Sequence, residues 1–526
     1  MRIVQVAAEF APLAKAGGLG EVVVGLTRAL NNLHEDVEVI IPKHDLIHPK
    51  ILENARLEIP DFKCVENGRQ IANAAWQIEA EGCKLHLLEA RHPSGYFHRG
   101  KIYGCDDDVP RFLYFCRMVA EYLKLKNQPI DVLHLHDWHT AALALFIRDL
   151  MSLDVKVGKI VLTIHNIEYQ GKCAVQDLNA VGLDGVSYLT STKLQDNDPN
   201  YPETINLLKG GIVYADRIVA VSPTYAKEIL TQTGGFGLDS TLKFCKSKLS
   251  GILNGIDLSL WSPESDRHLK HHFSSTDALA SIVKAKRKNK EELIRRFQVS
   301  SVATPWVGAV TRIAEQKSPE LLEEALVQTM RLGGVFVLLG SSPTPAIQSH
   351  FEALKQKYQG HPQVIVQLEY DDALAHQIYA ALDLLVVPSK TEPCGLTQMI
   401  GMHYGVLPIA RSTGGLKDTV VDCDNGLKPS AERNGFLFEK ATAKEFTETL
   451  ERAILLYKTN PATFQNLMRC GMHLDFSWTK PAKEYLKAFS ASVKMIGFNT
   501  VQLSPIMEQN KAATATKPKR PSAPRS

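Results

Sequence analysis

Short runs of Val, Ile and Leu alternate along the chain with longer stretches in which apolar positions recur at helical spacing. Runs that are apolar on both faces mark parallel strands buried between crossover helices. The pattern predicts strands at 3–7, 37–41, 132–135, 160–164 and 217–221 in a first α/β unit, and at 306–310, 335–339, 364–368 and 384–387 in a second. Two doubly wound α/β domains are the expected architecture. The boundary is expected between Gly237 and Asp257, which assigns 1–245 to the first domain and 250–475 to the second. Residues 266–290 read as a polar, basic excursion that leads into an amphipathic helix at 291–297. A helix-like stretch at 481–494, within 476–500, is expected to pack back on the first domain. The tail at 505–526, rich in Ala, Thr, Pro, Lys and Ser, lacks the apolar surface to order itself.

The chain has 526 residues, of which 44% are hydrophobic and 22% charged, the balance of an ordinary globular protein of two or more domains. A net charge of +3 gives no footprint for nucleic acid or membrane, and the excess is local: five basic residues in the tail face a single Glu508. No stretch reaches membrane-spanning length, and the N-terminus runs directly into a strand without a cleavable leader. Nine cysteines without a CxxC pair fit reduced thiols better than a disulfide framework or zinc site, so a cytoplasmic protein is expected.

In open α/β sheets ligands bind beyond the carboxyl ends of the strands, so the chemistry is sought there. After the first strand comes Glu9-Phe-Ala-Pro-Leu-Ala-Lys15-Ala-Gly17-Gly18-Leu-Gly20-Glu21, in which glycines let backbone N–H groups approach a ligand. The spacing matches neither the dinucleotide nor the P-loop pattern, and a purely structural turn is an equal alternative. His134-Leu-His136-Asp137-Trp-His139 gathers three histidines and a carboxylate at a strand end, without a second ligand group of zinc spacing; no metal is assigned. His165 closes the next strand, where it serves either a ligand or the core. Arg312 and Lys317 share a loop after the strand at 306–310, placed to neutralise a diphosphate unless they are merely solvated. Glu392 precedes a Pro turn and a helix start, and Pro408 and Thr413-Gly414-Gly415-Leu416 open another helix.

Taken in order, EFAPLAKAGGLGEVV, HLHDWHT, TIHNIEYQG, GILNGID, TRIAEQKS, PSKTEPCGLTQMIGMHYG and STGGLKDTV resemble bacterial glycogen synthases and plant starch synthases over about residues 1 to 490. The resemblance implies a GT-B fold, two Rossmann-like domains facing across a cleft. It also implies transfer of glucose from a nucleotide sugar, usually ADP-glucose, to the nonreducing end of an α-1,4-glucan primer. By resemblance, Lys15, Gly17 and Gly18 meet the donor diphosphate, and Asp137 and His165 surround the transferred glucose. Arg312 and Lys317 stabilise the departing diphosphate and Glu392 is the carboxylate of the E-P-C-G-L-T-Q motif. Glu9 and Asn254 belong to the substrate site, Tyr370 stacks on adenine, and Thr413, Gly414, Gly415 and Leu416 form a diphosphate loop. Three positions depart from the family pattern: Ala16 for threonine or valine, Glu21 for aspartate, and Ser318 for glycine.

Retention could proceed through a carboxylate nucleophile or through attack of the acceptor hydroxyl on the face from which diphosphate leaves; the resemblance favours the second. Cations then carry the catalysis and no metal or other cofactor is expected. UDP-glucose as preferred donor, another GT-B enzyme such as a pyridoxal-dependent phosphorylase, and a non-catalytic glucan-binding protein are the competing readings.

Overall fold

The structure is a computed structural model, and it describes residues 1–299, 303–369 and 371–491. Its first lobe is built on a nine-stranded sheet. The strands are β1 (Arg2–Val6), β2 (Asp36–Pro42), β3 (Arg56–Glu66), β4 (Arg69–Ala80), β5 (Cys83–Ala90), β6 (Ile130–His136) and β7 (Val157–Ile164), followed by β10 (Arg217–Ala220) and β11 (Leu249–Gly251). A small separate ribbon pairs β8 (Lys172–Cys173) with β9 (Ile205–Asn206). The order across the large sheet is β11-β10-β7-β6-β1-β2-β5-β4-β3, and only the β3–β4 and β4–β5 pairs are antiparallel.

The second lobe carries six parallel strands, β12 (Trp306–Val310), β13 (Val335–Leu339), β14 (Val364–Gln367), β15 (Leu384–Val387), β16 (Leu407–Arg411) and β17 (Phe436–Phe438). Their order is β14-β13-β12-β15-β16-β17, the 3-2-1-4-5-6 arrangement of a doubly wound sheet. All five residues of β13 are buried, as helices on both faces require of an interior parallel strand. The parallel part of each sheet reverses its winding once, between β1 and β6 in the first lobe and between β12 and β15 in the second. Such reversals open a crevice at the strand ends, where successive crossover helices diverge to opposite faces.

Both series of strands and the doubly wound layout agree with the sequence reading. The antiparallel β3–β4–β5 extension was not anticipated, and Pro408, expected at a helix start, lies inside β16 opposite Leu385. The first sheet keeps the chain until Gly251, inside the stretch between Gly237 and Asp257 where the boundary is expected, because β11 pairs with β10.

After the second lobe the chain returns. Ile256 N–H donates to the Phe476 carbonyl at 2.8 Å, and Trp478 lies so close over helix α1 (Gly18–Asn32) that a Cβ on Gly25 would stand 2.1 Å from the indole. The helix Thr479–Ser490 then buries Tyr485 and Phe489 against Val132, Val161 and the apolar face of α1. Of the helix predicted at 481–494, residues 492–494 lie outside the described residues, as does the tail at 505–526.

Candidate active site

Four of the candidate loops follow the strands that flank the two reversals: the Lys15 loop follows β1, Asp137 follows β6, Arg312 and Lys317 follow β12, and Glu392 follows β15. The topology therefore brings to two crevices what the sequence scatters over almost four hundred residues.

In the first lobe the Lys15 loop is held from beneath. Glu9, 2% exposed, accepts the N–H groups of Ala16 (2.7 Å) and Gly17 (2.9 Å) on Oε2, while the Tyr103 hydroxyl donates to its Oε1 at 2.8 Å. Lys15 is ion-paired with Glu21, so the longer carboxylate at that position reaches back to hold the ammonium over the loop. A Cβ on Gly17 would meet nothing within 4 Å, and one on Gly18 only Leu396 Cδ1 at 3.5 Å. Nothing among the described residues demands glycine there. Leu396 belongs to the Glu392 loop, so the two lobes face each other at this point.

Asp137 ties β6 to β7. Its backbone stands at φ 57°, ψ −173°, a region nearly closed to residues with a side chain and costing about 1–3 kcal/mol. The conformation is held by its N–H on the Thr163 carbonyl (2.9 Å), and its Oδ1 accepts the N–H groups of His165 (2.7 Å) and Asn166 (3.3 Å). Burial pushes the carboxyl up to about 7 against those bonds. Around it burial drives His134, His139 and His165 down to about 3 and His136 well below its ordinary value, so all four imidazoles are neutral at physiological pH. His134 bonds Thr163 Oγ1 at 2.7 Å, and His136 bonds Gln5 and His165 at 3.0 and 2.9 Å; these rings are committed to one another and to the strands.

In the second lobe Lys317 is ion-paired with Glu392, whose Oε2 also accepts the Ser389 hydroxyl at 2.7 Å. The pair lines a pocket with Thr311, Leu396 and Thr397. Arg312 is exposed on the same loop and makes no ion pair among the described residues. Ser318 explains its own departure from glycine: it is fully buried in the left-handed region (φ 53°, ψ 67°), and its hydroxyl compensates by donating to the Pro388 carbonyl at 2.9 Å. Asn254 is buried beside Cys394, and its Oδ1 has no hydrogen-bond partner among the described residues.

The Thr413–Leu416 segment, expected as a diphosphate loop, is packed closely against the Glu392 loop. A Cβ on Gly414 would stand 2.0 Å from the Glu392 carbonyl oxygen and one on Gly415 2.0 Å from that of Cys394, so both glycines serve close packing under the Glu392 loop. The outward Gly414 N–H and the Thr413 hydroxyl donate, at 3.0 and 3.1 Å, to Glu228 of the opposite lobe. Nearby, the Thr224 N–H and hydroxyl donate to Asp418 at 2.8 and 2.7 Å. Tyr370 lies outside the described residues, so its expected stacking is not placed. Sequence reasoning missed Glu228, Tyr103 and Gln5. Glu228 lies in a segment without glycine or histidine punctuation, Tyr103 sits between Gly100 and Gly104 in what reads as an ordinary turn, and Gln5 reads as one polar residue within an apolar strand.

Comparison with known proteins adds independent findings. Residues 2–244 match the family model described as starch synthase catalytic domain, and residues 290–465 that of glycosyl transferases group 1. A glycogen synthase of Protochlamydia amoebophila is 42% identical over 93% of this chain and 99% of its own. A probable starch synthase 4 of Arabidopsis thaliana, chloroplastic/amyloplastic, is 41% identical over 93% of this chain, which spans 47% of that longer protein. The solved catalytic domain of Arabidopsis starch synthase IV, bound to ADP and acarbose, superposes with a TM-score of 0.89 at 41% identity, covering 93% of this chain and 98% of that one.

Proposed function

The chain belongs to the glycogen and starch synthase family of glycosyltransferases, and we propose that it moves glucose from ADP-glucose to the nonreducing end of an α-1,4-glucan with retention at the anomeric carbon. The observation that carries the reading is the placement of Lys15, Arg312, Lys317 and Glu392 at the two winding reversals, with the Lys15 and Glu392 loops facing at Gly18 and Leu396. The ADP bound by the Arabidopsis relative supports an adenine nucleotide as the leaving group.

Lys15, Arg312 and Lys317 then offset the charge that gathers on the diphosphate as the glycosidic bond ionises. Glu21 and Glu392 hold the two ammonium groups in place, and donor phosphates take over part of that role on binding. Asp137 supports a positioning role better than a nucleophilic one. One of its oxygens is taken by two N–H donors, and burial keeps the carboxyl partly protonated near neutrality. The acceptor hydroxyl attacks from the side on which diphosphate departs, and the phosphate takes its proton. Side-chain cations fill the role of a divalent ion, so turnover should survive a chelator. We place the reaction in the cytoplasm, in keeping with nine unpaired thiols.

Initial rates of glucose incorporation into glycogen, measured side by side with ADP-glucose and UDP-glucose, test the proposal. Faster incorporation from ADP-glucose is expected. A preference for UDP-glucose would overturn the donor assignment, and no incorporation from either would overturn the activity.

A further inference from the structure

A line of buried polar groups runs from α1 to the cleft end of β7, and its bonds can be ordered one proton at a time. Thr27 Oγ1 lies 2.7 Å from the Val23 carbonyl, which can only accept, so the single hydroxyl proton goes there. Thr27 Oγ1 is also 2.7 Å from Gln5, and this second bond must be donated by the amide Nε2–H. That fixes the amide orientation and turns Gln5 Oε1 toward His136 Nε2, 3.0 Å away, which must carry a proton to bond it. His136 is neutral, so its Nδ1 is bare and accepts, at 2.9 Å, from His165 Nε2–H. His165 is neutral as well, which leaves its Nδ1 as a lone pair. Gln5, Thr27 and His136 are each fully buried, so no water competes for these bonds.

We propose that Gln5 and Thr27 are positioning residues that lock His165 in the Nε2–H tautomer, so that its Nδ1 accepts a hydroxyl proton of the transferred sugar. The inference rests on the reading of His165 as a sugar contact. The groups facing His136 and His165 impose no opposing order. His134 lies tilted beside His136, ring centroids 4.2 Å apart, and directs its Nε2 to Thr163, Tyr485 of the helix Thr479–Ser490 meets His134, and Asp137 engages only the backbone of His165. From β1 and α1 the facing groups are Gln5 and Thr27, neither of which titrates.

Three variants of the full chain test the lock. Gln5→Met removes the acceptor of the His136 proton. Thr27→Val frees the Gln5 amide to turn over and is available should Gln5→Met fail to fold. Gln5→Glu is isosteric and draws a second proton onto His136, whose Nδ1–H then forces the inverted tautomer on His165. The first readout, independent of activity, is ring ¹⁵N chemical shift in histidine-labelled protein, with His165 assigned by its loss in His165→Asn. The parent should show a protonated Nε2 and a bare Nδ1, and Gln5→Met and Thr27→Val a mixture. The second readout is kinetic: kcat for Gln5→Met should fall about 10- to 100-fold, with the donor KM changed much less. Gln5→Glu should lose turnover on the acid side and recover it as pH rises, a step additional to the one the Asp137 carboxyl gives parent and variant alike.

A parent spectrum with the proton on Nδ1, or variants that alter neither His165 shifts nor kcat, would overturn the lock. Full turnover in His165→Asn would instead overturn the sugar-contact reading, and with it the use of the tautomer.

Discussion

Gly17 and Gly18 lead into α1 in the first lobe, and Gly414 and Gly415 lead into the helix Gly414–Thr419 in the second; on sequence the two pairs look alike. Their surroundings are opposite. Gly17 faces open space, at φ −157° where any residue is comfortable, whereas Gly414 (φ 46°) and Gly415 are pressed against the carbonyls of Glu392 and Cys394. One pair leaves room beside its backbone, and the other lets two backbones touch. Position in the sheet separates the cases. The first pair follows β1, a strand at the winding reversal, and the second follows β16, one strand removed from it. A glycine pair at a helix start thus leaves room beside its backbone where the topology supplies a crevice, and lets backbones touch where it does not.

The largest effect expected from this contrast concerns the cations. The open loop carries its own, Lys15, while in the second lobe the cation comes from Lys317 on another loop. Lys15→Ala and Lys317→Ala should each lower turnover about 100- to 1000-fold, the loss seen when one charge-stabilising donor is removed. Both side chains are partly exposed, so melting curves should stay close to the parent. Turnover within a few-fold of the parent in either variant would remove that lysine from the mechanism.

Gly415→Ala probes the packed pair. A methyl 2.0 Å from the Cys394 carbonyl must push backbone against backbone, costing about 1–3 kcal/mol, with a melting temperature several degrees lower. Gly17→Ala probes the open pair, and the expectation inverts: an unchanged melting curve with turnover reduced about tenfold, as a methyl intrudes on the donor and misplaces it. Should Gly17→Ala melt early, or Gly415→Ala keep its stability, the two glycine pairs would not differ in the way described.

Much of this was legible before the structure. The apolar runs marked the parallel strands because each is buried on both faces, and the order of motifs put the candidate side chains at strand ends. What stayed hidden depends on contacts between distant segments. β3 is an edge strand with Arg56, Leu57 and Lys63 exposed, Pro60 within it and its register broken by bulges, so no clean alternation survives. Glu228 meets Gly414 only because two lobes face each other, and no local pattern encodes that. The Gln5 link is silent for a similar reason: its partners come from α1 and β6, far away in sequence.

Ser318 offers the finest test, because there the backbone asks for glycine and the sequence answers with serine. In the left-handed region a residue with a side chain is disfavoured by about 1–2 kcal/mol, which Ser318→Gly would relieve. Against this stand the bond to the Pro388 carbonyl, typically about 1 kcal/mol, and the greater freedom of glycine in the unfolded chain, about 0.5–1 kcal/mol. The opposing effects nearly cancel, so stability should change by less than about 1 kcal/mol and turnover hardly at all. A denaturation midpoint shifted well beyond this would show that the hydroxyl itself holds the Lys317 loop against β15. The loop would then owe its shape to that bond, and the resemblance of Ser318 to a glycine position would be one of backbone angle alone.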